Sequence, residues 1–188
     1  MRTVARRVGV SATAIYRHFD DKDVLLRDLA AEGFERLASY GEAALAEPTA
    51  EKRLWRFMER FLDFAIDEPD CFALMFFVSG RHVRRFPEDF AAQRSVTAKM
   101  LTEHVKECMR EGVLRADDPL ETMLTIWAQA HGLIALQRTG RFGDVAIFRT
   151  IYVRSMERLL DGLRAPPSDV DRDGSGRPTR NRSELERS

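Results

Sequence analysis

Cysteine is scarce: Cys71 and Cys108 are the two in 188 residues. Two thiols without C-x-x-C spacing exclude a disulfide framework. Long apolar runs are missing too. The longest, residues 71–78, is far short of the ~20 residues a membrane-spanning helix needs. There is no net charge, 30 Lys and Arg standing against 30 Asp and Glu, so bulk adhesion to a polyanion is not expected. No Ser-His-Asp order, phosphate-cradling glycine loop or acid pair stands out. An enzyme is therefore not expected, and no cofactor is implied. His104 and Cys108 lie four apart, a spacing that can share a metal, but two donors do not make a site and no metal is expected. The N-terminus is polar and Arg-rich with no apolar segment behind it, so no secretory signal is expected. The expected setting is soluble, reduced and cytoplasmic.

What is present is helical periodicity and ample apolar mass, 44% of the chain. Alternating strand patterns are short, and the expected fold class is all-α. One helix is expected over about residues 21–46, with Leu26, Leu29, Ala30, Gly33, Phe34 and Leu37 on one face. Thr49 caps a second, whose stripe is Leu54, Phe57, Met58, Phe61, Leu62 and Ala65. Pro69 suits the first turn of a short apolar helix ending near Gly80. After a basic connector, Pro87 opens a helix carrying Leu101, Val105 and Cys108 that Gly112 ends. Asp118, Pro119 and Glu121 read as cap, first-turn proline and capping-box acid. The helix they open is apolar nearly all round, through Met123, Leu124, Ile126, Trp127, Ala130, Leu133 and Ile134. It is either central in the core or shared with a partner. A last helix, about residues 144–163, carries Phe148, Ile151, Tyr152, Ser155 and Leu159. Residues 165–188 hold almost nothing apolar and read as a disordered tail.

Residues 1–19 carry Arg2, Arg6, Arg7, Arg17 and His18 and no acid; Asp20, Asp21 and Asp23 then restore the balance. Such a basic segment on a neutral chain points to local contact with a polyanion. Within it, Val4, Ala5 and Val8 share one face of a two-turn helix. Gly9 is free to take the positive φ of a sharp turn, Val10 plugs that turn, and Ser11 caps the next helix. Ile15 and Phe19 face inward there, leaving Ala12, Thr13, Tyr16 and Arg17 outward. This is a helix-turn-helix pattern. Thr13 offers a hydroxyl and a methyl to a base edge, while Ala12 and Ala14 permit close backbone approach. Tyr16 and His18 have donors at phosphate length. Lys22 adds its charge beside the next helix N-terminus. Arg17 reaches either a guanine or a phosphate.

The continuation IYRHFDDKDVLL resembles the TetR family of bacterial transcriptional regulators, whose N-terminal domain carries a YxHF-x-x-K signature. Here those positions are Tyr16, His18, Phe19 and Lys22, followed by Leu25 and Leu26. Farther on, Trp127, His131 and Gly132 resemble the Trp…His-Gly motif of one TetR C-terminal subgroup. The resemblance implies phosphate contacts for Tyr16 and Lys22. It also implies a three-helix DNA-binding domain, of which this sequence starts at the second helix; the expectation is a domain lacking its first helix.

Three segments are expected on this basis. Residues 1–39 form the helix-turn-helix domain and connecting helix, residues 40–164 a helical effector-binding and dimerisation domain, and residues 165–188 the tail. The implied function is a ligand-responsive repressor that binds a palindromic DNA operator as a homodimer through its last two helices. The alternative is a helical small-molecule-binding or interaction protein that has lost DNA binding by truncation. The effector is expected to be apolar, with Phe61, Phe64, Phe72, Phe76, Met100, His104, Trp127 and His131 as candidate contacts, drawn from an aromatic and Met cluster and two histidines in apolar stripes. The DNA-facing candidates are Ser11, Ala12, Thr13, Ala14, Tyr16, Arg17, His18 and Lys22.

Overall fold

A computed structural model describes residue 9, residues 11–78 and residues 84–166. The described residues form helices joined by short turns, without a named strand; Leu114 and Arg164 make an isolated antiparallel bridge. The first helix expected before Gly9, with Val4, Ala5 and Val8, lies outside them. So do Gly80 and residues 167–188.

Capping begins most of the helices. Gly9 takes a φ of 72°, and the Ser11 hydroxyl accepts from the Ala14 N–H at 3.1 Å, opening α1, Ala12–Tyr16. Asp21 accepts from the Val24 N–H at 2.8 Å and starts α2, Lys22–Glu42, which runs on into a 3₁₀ turn over Ala43–Ala46. Thr49 caps α3, Ala50–Asp67, and Pro69 occupies the first turn of α4, Pro69–Phe77. Asp118 accepts from the N–H groups of both Leu120 and Glu121 to open α7, Pro119–Arg138. The Glu121 side chain does not close a capping box, since the Asp118 N–H donates to Asp117 instead. Asp144 caps α8, Val145–Leu163.

The single helix expected after Pro87 is two. A short α5, Glu88–Ala91, stops before Gln93, whose φ of 55° no helix accommodates. Ser95 then accepts from the Ala98 N–H at 3.4 Å and starts α6, Val96–Arg110, which Gly112 ends at a φ of 69°.

The helix α3 lies at the centre and packs against α2, α4, α6 and α7. Its buried stripe, Leu54, Phe57, Met58, Phe61, Leu62, Phe64 and Ala65, is the strongest amphipathic pattern in the chain. Each of its Leu, Phe and Met side chains removed from water contributes about 1.5–3 kcal/mol before entropy is counted. Two glycines bring α2 close to its neighbours. A Cβ at Gly33 would stand 2.5 Å from the Met75 sulfur, and one at Gly41 would stand 2.7 Å from the Phe57 ring. The buried stripe of α2 is Ala30, Gly33, Leu37 and Gly41; Leu29, expected on that face, is 40% exposed.

The outermost layer is α8 on α7. Its inward face is Phe148, Tyr152, Met156, Leu160 and Leu163, rather than the expected row of Phe148, Ile151, Tyr152, Ser155 and Leu159. The two rows share Phe148 and Tyr152 at helical spacing, and long-range ties select between them. The Tyr152 hydroxyl donates to the Met58 carbonyl at 3.0 Å, and Arg149 pairs with Asp63 at 2.7 Å. Among the described residues, no helix is long and apolar enough to cross a membrane.

Candidate functional site

Two regions carry chemistry. The first is α1 with the turn into α2. Thr13, Tyr16, Arg17, His18 and Lys22 are exposed there, Tyr16 by 52%, while Ala14 and Phe19 are half-buried. Ser11 is also exposed, but its hydroxyl is engaged as the cap. Ala12 contributes the first residue of α1. Among the described residues, none of Thr13, Tyr16, Arg17, His18 or Lys22 is tied up in an ion pair or a side-chain hydrogen bond. At the start of α2 the Val24 N–H is occupied by Asp21. An anion beside Lys22 would therefore meet the N–H groups of Lys22 and Asp23 rather than all those of the first turn.

The second region is a part-open cavity of about 160 Å³ lined by residues of α2 through α7. Phe34 of α2 faces it. Phe57, Met58 and Phe61 of α3 and Met75 and Phe76 of α4 form one side. Arg84, Phe90 of α5, and Ser95, Thr97, Ala98 and Leu101 around α6 form another. Met123, Trp127 and His131 of α7 complete the wall. Phe34 and Phe76 meet edge to face, their centroids 5.5 Å apart at 83°, and Phe76 is tilted against Trp127 at 6.2 Å. His131 sits among Phe72 at 5.6 Å, Phe76 at 5.1 Å, Phe77 at 5.3 Å and Trp127 at 5.6 Å. Burial among these rings pushes its imidazole below the ordinary histidine value, so it is neutral at pH 7. Among the described residues, its Nδ1 is buried without a hydrogen-bond partner.

Of the eight apolar-site candidates, Phe61, Phe76, Trp127 and His131 come together on this wall. The other four stand elsewhere. Phe64 is fully buried against Tyr40 and Phe72. Phe72 backs His131 from behind the cavity. Met100 approaches Gly41. His104 is 4% exposed and packs on Phe57, its Nδ1 3.7 Å from a Glu107 oxygen, beyond hydrogen-bond reach. Burial pushes the His104 imidazole down, and Glu107 only partly offsets this. The neighbouring thiol of Cys108 is fully buried and pushed up to about 12. Among the described residues, no three His, Cys, Asp or Glu side chains gather in a way that could hold a metal ion.

Phe34 and Phe90 were not among the candidates. Phe34 was read as part of the apolar face of α2, and Phe90 falls on a helix the sequence did not separate. Their aromatic character was the available signal, but their meeting on one cavity wall was not.

A second concavity, about 600 Å³ and wider open, lies between α3 and α8. Its charges largely satisfy one another: Arg56 pairs with Glu47 and Glu59, while Arg60 and Arg149 both pair with Asp63.

Residues 1–29 match the model of the bacterial regulatory proteins of the tetR family, and residues 54–163 match that of the tetracyclin repressor-like C-terminal domain. Among solved structures, a protein with unknown function from Rhodococcus sp. RHA1 is similar, with 25% identity, a TM-score of 0.68, and 87% of this chain and 84% of that one covered. The TetR family transcriptional regulator PfmR from Thermus thermophilus shares the fold at 20% identity and a TM-score of 0.67, over 87% of this chain and 88% of its own. So does a tetR family regulatory protein from Rhodococcus RHA1, at 22% identity and a TM-score of 0.65, over 88% of this chain and 86% of its own. No curated protein matches the chain. The C-terminal match spans more than half the chain, and the N-terminal match covers the helix-turn-helix. The protein is a transcription factor, not an enzyme: it belongs to the TetR family of bacterial regulatory proteins and acts as a DNA-binding transcriptional regulator.

Proposed function

We propose that this protein is a homodimeric repressor that holds a palindromic operator and releases it when a small apolar effector fills the cavity. The observation that carries this reading is the position of Phe34. It lines the cavity, and it belongs to the same unbroken helix, α2, whose first residue lies six positions beyond α1. A molecule that displaces the Phe34 ring acts on the helix that carries the recognition segment. The effector needs only to bind better to the state in which the two recognition helices are wrongly spaced.

In the DNA-bound state, two α1 helices enter successive major grooves about 34 Å apart. Thr13 meets a base edge, with Ala12 and Ala14 allowing the approach. Tyr16, His18 and Lys22 hold phosphates, Ser11 holds the helix start, and Arg17 reaches a guanine or a phosphate. Residues 1–39 then form the DNA-binding domain with its connecting helix, residues 40–164 the effector and dimerisation domain, and residues 165–188 a tail. The dimer is built from α7 and α8 as a four-helix bundle. Exposed Leu136 and Ile147 support this, as does Gly132, where an added Cβ meets only open space. Half-buried Leu124, Ile151 and Leu159 on the same two helices add apolar area.

Sedimentation of the protein alone and with a labelled operator tests the reading. The expected result is a dimer of 21.6 kDa chains, with one dimer per palindrome. A monomer that binds half-sites independently would sink it. An Ile147→Arg variant that stays dimeric would move the interface away from α8.

A further inference from the structure

We propose that the cavity accepts a small uncharged molecule built on a single ring, with one hydroxyl-type group that meets the His131 imidazole. This rests on reading the cavity as the effector site. Size sets the first limit: about 160 Å³ is close to the ~150 Å³ of an apolar protein cavity that stays dry and takes benzene. The aromatic walls set the second. Phe34, Phe76 and Trp127 already adopt edge-to-face and tilted geometries, so a further ring continues the same packing.

Charge sets the third limit. Among the described residues, no acidic side chain lines the cavity, and the charged residue on its wall is Arg84, which is exposed. A cation would meet no counter-charge and one repelling guanidinium. An anion would pair with Arg84 only where water screens the attraction. Polarity sets the last. The His131 imidazole lines the cavity, packed between rings, and among the described residues it makes no hydrogen bond. A neutral imidazole has one donor and one acceptor nitrogen, and a hydroxyl can satisfy either.

The test is calorimetric titration of the full chain with phenol, toluene, benzoate, benzyltrimethylammonium and octanoate, each followed by an operator-release assay. Phenol is expected to bind about tenfold more tightly than toluene, the order of one hydrogen bond to a buried group. His131→Leu should abolish that preference while leaving toluene binding in place. Met123→Trp, which fills the cavity, should remove both ligands. Equal affinity for phenol and toluene in the unaltered protein would overturn the role of His131 without any variant. Stronger binding of benzoate, the ammonium or octanoate would overturn the ligand class, as would binding of none of the five. Phenol binding without operator release would leave the cavity assignment standing and remove the effector reading. Release by a molecule of another class would do the opposite.

Discussion

The segment of residues 11–22 and the aromatic cavity differ in how many parts of the chain each requires. The first is one short helix and a turn, its cap made by Ser11 and Ala14 three positions apart, with Thr13, Tyr16, Arg17, His18 and Lys22 left in solvent. The second needs side chains from α2, α3, α4, α5, α6 and α7, separated by up to ninety-seven positions between Phe34 and His131. A surface that reads a partner can be displayed by local structure, because the partner supplies the other half. An enclosure has to be completed by the protein itself. Substitutions in the first region should therefore change binding and leave stability alone. Substitutions around the second should change both.

The largest expected effect is in the core that frames the cavity. Phe64→Ala removes a fully buried ring that packs on Tyr40 and Phe72, and should cost about 3–5 kcal/mol of unfolding free energy. Urea denaturation followed by circular dichroism measures this; a cost of only a few tenths would mean the core reorganises freely. Gly41→Ala comes next. Its Cβ would press on the Phe57 ring at 2.7 Å and on Met100 at 3.1 Å, so a loss of about 1–3 kcal/mol is expected despite the helix-favouring methyl. A stabilised variant would show that α2 is not tightly seated on α3.

In the recognition segment the magnitudes move to DNA. Thr13→Ala should relax discrimination at one base pair by about 1–3 kcal/mol, read across an operator library. Unchanged base preference would take Thr13 off the reading surface. Lys22→Ala should weaken all DNA sequences about equally and make the salt slope shallower by about one unit. Its melting temperature should stay put, since exposed substitutions rarely exceed about 0.5 kcal/mol. A loss confined to the specific operator would mean that Lys22 reads sequence.

The smallest expected effect is on pH dependence. Burial holds His104 and His131 below the ordinary histidine value, so the unfolded chain takes up protons near pH 6.5 that the folded chain refuses. Stability should be complete above that pH and decline as pH falls below it. Comparing denaturation midpoints at pH 7.5 and 5.5 measures the decline, and His104→Gln should flatten it. An unchanged slope in that variant would assign the effect to His131 and the carboxylates.

The starts of α1, α3, α7 and α8 were legible in the sequence, because a cap and the N–H it accepts from lie two or three residues apart. Ser95 also caps its helix, yet the break before it depends on Gln93 at positive φ, a conformation its residue type does not announce. The cavity wall was half legible. Phe61 and Phe64 are the same residue type one turn apart on α3, as are Phe72 and Phe76 on α4. Which of each pair faces the cavity follows from how the helices rotate as they dock.

Composition and periodicity by themselves determined an all-α fold, the capped start of α1 with exposed Thr13, Tyr16 and Arg17, and the pool of aromatic and Met residues from which an apolar site would be made. Those features depend on neighbours within a turn or two, where covalent geometry leaves few alternatives. Tertiary structure alone decided that Phe34 and Phe90 help wall the cavity and that His104 stands outside it. It also decided that Tyr152, bonded to Met58, turns the row of Met156 and Leu160 inward. Each of these is a choice among helix faces of similar apolarity, and only packing against elements distant in sequence makes one of them lower in free energy.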